Sequence, residues 1–115
     1  MCGIIGYVGS RDAKPLLLQG LRRLEYRGYD SAGIALREDE ALDYVRAVGN
    51  LDNLVEAAGT NGSHSRHGLG HTRWATHGGV TEGNAHPLTG CEPNRLAIVL
   101  NGIIENYVEL RAQLT

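Results

Sequence analysis

The residue with the most chemical potential in this sequence is Cys2, which follows Met1 and precedes Gly3. Methionine before so small a residue is normally trimmed, and trimming would leave Cys2 with both a thiol and a free α-amino group. An ordinary thiol, with a pKa of about 8.5, is a few per cent thiolate at neutral pH. An α-amino group, with a pKa of about 7.7–8.0, is partly neutral there. The neutral amine can take the proton of its own side chain, directly or through a water. One residue then supplies both nucleophile and general base. A structural reading competes, because cysteine is among the most buried residue types and this one opens an apolar run. Five histidines, His64, His67, His71, His77 and His86, invite a metal reading as well. No His-Glu-x-x-His or Cys-x-x-Cys motif accompanies them, and residues 59–68 read as a solvated loop, so neither a metal nor another cofactor is expected.

Four segments change the balance at Cys2. They are Cys2-Gly3-Ile4-Ile5-Gly6, Arg27-Gly28-Tyr29-Asp30-Ser31-Ala32-Gly33, His71-Thr72-Arg73-Trp74-Ala75-Thr76-His77-Gly78, and Asn101-Gly102-Ile103-Ile104-Glu105-Asn106. Together and in this order they resemble the class II glutamine amidotransferases, a family of N-terminal nucleophiles, over almost the whole chain. Within the family, residues 24–33 and 74–77 are similar to the branch that aminates fructose 6-phosphate. Two alternatives stay open: another class II branch such as amidophosphoribosyltransferase, and a non-catalytic binding module of the same fold.

The resemblance implies a set of roles. Cys2 would attack the side-chain amide of L-glutamine, and the Asn101 amide and Gly102 N–H would stabilise the oxyanion. Arg73 would grip the substrate α-carboxylate, which its guanidinium fork matches bidentately as Lys could not. Trp74, Thr76 and His77 would complete that wall. A lone Arg is more often a surface ion pair, a lone Trp often anchors a core, and Asn-Gly is also the strongest short turn signal. Arg27 and Asp30 could form an ion pair fixing the loop beside Cys2, with His71 and His86 as further supporting groups. The implied fold is the four-layer αββα sandwich of the N-terminal-nucleophile hydrolases, with residues 1–115 as one domain truncated at its C-terminal side. In the family, an acidic residue that holds the glutamine α-amino group lies just beyond this chain's end, and a C-terminal isomerase domain handles fructose 6-phosphate. The 115 residues alone are therefore expected to have little glutaminase activity, and the full enzyme is expected to be a homo-oligomer.

These residues need elements to position them. Residues 2–8 read as a buried strand. Asp12 is a plausible N-cap for a helix in which Leu17, Leu21 and Leu24 share a face, with Arg22 and Arg23 outward, ending before Gly28. Residues 31–36 and 42–48 read as a hairpin around a charged turn at 37–40, and residues 52–58 as a short helix. A strand is expected at 69–75, then a long irregular segment at 76–94, the kind of loop that is usually functional. Residues 96–100 read as a strand that turns at Asn101-Gly102 and continues through Ile103 and Ile104. Residues 105–114 read as a helix with Tyr107, Leu110 and Leu114 on one face. This mixture predicts an α+β sandwich.

Bulk composition agrees with a folded domain: hydrophobic residues are 42%, but with no Phe the core must be built from Leu, Ile, Val and Ala. A net charge of −2 supplies no basic field for nucleic acid or membrane surfaces. No apolar run approaches a membrane span and no signal peptide is recognisable, which points to the cytoplasm. There Cys2 and Cys91 are expected to stay free thiols.

Overall fold

A computed structural model of the chain describes residues 2–27, 30–59, 64–74, 79–92, 95–102 and 104–115. Its main sheet has four antiparallel strands in the order β1-β4-β2-β3: β1 Gly3–Val8, β2 Ser31–Glu38, β3 Ala41–Val48 and β4 His67–Arg73. Helices α1 Ala13–Leu24 and α2 Leu51–Ala58 cover one face. A small ladder, β5 Leu88–Thr89 with β6 Ala97–Ile98, follows, and α3 Tyr107–Leu114 ends the chain.

The helical face follows from period-two alternation along the strands. Ala32, Ile34 and Leu36 of β2 meet Ala13, Leu17 and Leu21 of α1 and Leu51 and Leu54 of α2 in a single buried cluster. Leu24, the third expected member of the α1 stripe, is half-buried, and Arg22 faces outward to pair with Asp52 at 2.9 Å. A side chain at Gly20 would collide with Ile5, so the glycine lets α1 lie close on β1.

Several boundaries differ from the sequence expectations. The β2–β3 ladder runs on through Arg37↔Leu42 and Glu38↔Ala41, which shortens the charged turn to Asp39-Glu40. Asp39 takes the left-handed conformation there (φ 52°), which Asp tolerates better than most residues. Strand β4 begins at His67, inside the expected loop, because its ladder with β1 extends to Val8↔His67. The strand expected at 96–100 shrinks to Ala97–Ile98, and its partner is β5. Ile104 lies outside any strand, so the expected hairpin through Asn101-Gly102 is not formed by the described residues. Helix α3 starts two residues later than expected, and none of its residues is buried: Tyr107, Leu110 and Leu114 are all exposed. No described element covers the side that carries Tyr107, Leu110 and Leu114.

Candidate active site

The site lies on the sheet face opposite α1 and α2. His71 and Arg73 project to this side, two residues apart on β4. Strand β4 is an inner strand: His71 is laddered to both β1 and β2, and Arg73 to β2. One cross-strand row reads Arg46, Gly33, His71 and Ile4 across β3, β2, β4 and β1. The next reads Val48, Ser31 and Arg73, and the β1–β4 register continued by one residue would set Cys2 beside Arg73.

Cys2 is a free, half-buried thiol at the mouth of β1. Its Sγ is 3.9 Å from the Trp74 carbonyl oxygen, just past the end of β4. The Asn101 side-chain amide reaches the same place, its Nδ2 donating to the Cys2 carbonyl at 3.4 Å. Three of the segments singled out by sequence thus converge on one point. Gly102 follows in an exposed bend. Trp74 is 43% exposed, so it is no core anchor.

Arg73 is only 7% exposed. Its guanidinium donates from Nη1 to the Gly79 carbonyl at 2.8 Å, and the Asn84 amide donates to that same oxygen at 3.0 Å. The residue is therefore buried and tied to the segment after β4. Asp30 acts through its backbone: its N–H donates to the Arg73 carbonyl at 3.2 Å, and its carbonyl accepts from the Gly49 N–H at 2.8 Å. Its carboxylate accepts from the Ser31 hydroxyl at 3.1 Å. The side chain of the expected partner Arg27, and the substrate-wall residues Thr76 and His77, lie outside what the structure describes.

His71 and His86 form a stacked pair, ring centroids 4.3 Å apart and 20° from parallel. Gly33 makes room for it, because a Cβ there would collide with the His86 carbonyl. His71 is fully buried, and burial first, then the neighbouring His86 ring, then Arg73 lower its pKa from 6.5 to about 4, outweighing the upward pulls of the Leu100 carbonyl and Asp30. The His86 pKa is lowered by burial, Arg73 and Arg46, against a backbone hydrogen bond at Asn84. The His71 ring is therefore neutral near pH 7. Its Nε2 lies 3.2 Å from the Leu100 carbonyl oxygen. A carbonyl only accepts, so Nε2 carries the proton and donates. The Nδ1 atoms of both rings have no partner among the described residues. Nor do these residues gather three His, Cys, Asp or Glu side chains fit to hold a metal ion.

Sequence reasoning missed the Trp74 carbonyl, the Leu100 carbonyl and the role of Arg46 beside His86. None had a signal: two are backbone atoms, and the third depends on the β2–β3 register.

The chain is 58% identical over 114 residues to a glutamine--fructose-6-phosphate aminotransferase [isomerizing] of Thermus thermophilus, and 59% identical over 112 residues to that of Gloeobacter violaceus. These matches take in 99% and 96% of this chain but only 19% and 18% of the relatives' lengths. A glutamine phosphoribosylpyrophosphate amidotransferase from B. subtilis superposes with a TM-score of 0.81 at 26% identity, over 99% of this chain and 24% of that one. The chain belongs to the class II glutamine amidotransferases. A second solved structure, described as the allosteric regulatory enzyme of purine biosynthesis, matches with a TM-score of 0.83 at 28% identity, over 99% of this chain and 25% of its own. No protein-family model matches the chain. The amidotransferase fold explains the layers: α1 and α2 with the main sheet form one helical and one strand layer of the N-terminal-nucleophile sandwich, here a partial domain. Among the described residues, no helix is long and apolar enough to cross a membrane.

Proposed function

We propose that residues 1–115 form the N-terminal part of a glutaminase domain that releases ammonia from L-glutamine for the synthesis of glucosamine 6-phosphate from fructose 6-phosphate. The Cys2 sulfur attacks the side-chain carbonyl carbon of glutamine. A C–S bond forms, and the carbonyl electron pair moves onto oxygen, where Asn101 Nδ2 and the Gly102 N–H stabilise the charge. The Cys2 ammonium gives its proton to the leaving nitrogen, the oxyanion collapses and ammonia departs. Water then hydrolyses the γ-glutamyl thioester to glutamate and restores the thiol. Arg73, with Trp74, Thr76 and His77, holds the substrate, its guanidinium binding the α-carboxylate.

The observation carrying this reading is the approach of the Asn101 amide to the Cys2 carbonyl. An NH2 group has two donor hydrogens, and one is engaged here, so the other serves an oxyanion beside Sγ. The sugar-phosphate acceptor rests on the relatives' names and on identity above half. The 0.81 likeness to a phosphoribosylpyrophosphate amidotransferase favours that acceptor as the second reading. A cytoplasmic homo-oligomer completes the proposal.

The deciding experiment uses the protein expressed from its complete reading frame. A glutamine-analogue electrophile should label Cys2 and leave Cys91 untouched, intact mass should lack Met1, and Cys2→Ser should abolish hydrolysis. Retention of Met1 in active protein overturns the mechanism. Ammonia transfer to phosphoribosyl pyrophosphate instead of fructose 6-phosphate moves the assignment to the second branch.

A further inference from the structure

The segment bearing Asn101 has little of its own to hold it. Strand β6 stops at Ile98, and among the described residues no ladder bond anchors residues 99–102. Besides the exposed Asn101 Nδ2 bond to the Cys2 carbonyl, the segment is tied to the rigid sheet by the hydrogen bond from His71 Nε2 to the Leu100 carbonyl at 3.2 Å. That oxygen belongs to the same planar peptide unit as the Asn101 N–H, so fixing it fixes the plane from which the Asn101 Cα departs. His71 is well suited to this task. It is fully buried on an inner strand, and its ring is clamped by the stacked His86, which sits in the space left by Gly33. Its neutral state leaves a single proton, which the carbonyl draws to Nε2.

We propose that His71 is a positioning residue that orients the Leu100–Asn101 peptide so that the Asn101 amide meets the oxyanion formed at Cys2. This rests on the roles proposed above for Cys2 and Asn101. His71 touches no reacting atom; it sets where the donor stands. Displacing such a donor by an ångström can cost about a hundredfold in rate without breaking the fold.

The test compares His71→Gln with His71→Asn in the protein from its complete reading frame. A Gln amide nitrogen reaches the position of Nε2, and an Asn amide nitrogen reaches only that of Nδ1. His71→Asn should lower kcat for glutamine hydrolysis roughly 10- to 100-fold with KM changed by less than about threefold, and His71→Gln should stay within about fivefold of the parent. Alkylation of Cys2 by iodoacetamide is the control, because the sulfur displaces iodide at a saturated carbon and no oxyanion forms. Its rate should be unchanged in both variants. Equal loss in the two variants, no loss in His71→Asn, alkylation slowed as much as hydrolysis, or a His71→Asn protein that no longer melts cooperatively each overturns the proposal. Cys2→Ser run in parallel separates the two levels: if it still hydrolyses glutamine, the roles of Cys2 and Asn101 fall and this inference with them.

Discussion

The Asn101 side-chain amide donates to the carbonyl of Cys2 at 3.4 Å, joining residues 99 positions apart at one end of β1. The contact is exposed, so losing it costs the fold little. Its consequence is chemical. Asn101→Ala should leave Tm nearly unchanged and lower kcat for glutamine hydrolysis by about 10²–10³, the usual effect of removing one oxyanion donor (about 2.7–4 kcal/mol). Steady-state kinetics beside a thermal melt checks both halves. A variant that keeps its kcat removes Asn101 from the mechanism.

Arg73 should separate charge from geometry. Lys keeps the charge but has no fork for a carboxylate, and its single ammonium replaces the Nη1 donor to Gly79 at best in part. With charged hydrogen bonds contributing about 1.5–3 kcal/mol each, Arg73→Lys should raise KM for glutamine roughly 10- to 100-fold. Rates measured across glutamine concentrations report this directly. An unchanged KM would mean that Arg73 serves only the segment after β4.

Gly33 offers a test far from Cys2 in sequence. Its missing side chain is where the His86 carbonyl rests. Gly33→Ala must push the 86–87 segment off the sheet, an overpacking that typically costs about 1–3 kcal/mol. The His71–His86 stack should loosen with it. We expect a lower Tm and a raised His71 pKa, read from the pH dependence of its ring proton resonances. A His71 resonance that titrates as in the parent would show that the stack does not depend on Gly33.

Acid should weaken the fold through His71. Above its ordinary pKa of 6.5 the ring is neutral in folded and unfolded chains alike, and nothing is lost. Between 6.5 and about 4 the unfolded chain takes up a proton that the folded chain refuses, so stability falls as pH falls. Below about 4 both states are protonated and the loss is complete. At about 1.4 kcal/mol per unit of lowered pKa this amounts to a few kcal/mol, and His86, lowered as well, adds to it with the same sign. The fall in Tm between about pH 7.5 and about pH 5 should be smaller in His71→Gln than in the parent. Equal falls would place the acid sensitivity elsewhere.

Much of this protein was legible from residue types and periodicity alone. The short apolar run at residues 2–8 marked β1, the two stretches around a charged turn marked β2 and β3, and the i, i+4 spacing of Leu17 and Leu21 marked the buried face of α1, because these signals are local. Cys2 could be singled out as a candidate nucleophile as well, because thiol and α-amine would share one residue, but only the four segments taken together set that reading above an ordinary buried thiol. Tertiary structure alone decided how the rest meets. Residues 79–102 carry little periodic signal, and the path bringing Asn101 to Cys2 depends on contacts that span 29 and 99 positions. The His71–His86 stack needed both the β2–β4 register and the space at Gly33, neither of which any local window contains. Helix α3 shows the converse: its helical stretch could be read from the sequence, but whether Tyr107, Leu110 and Leu114 are covered depends on the presence of another element.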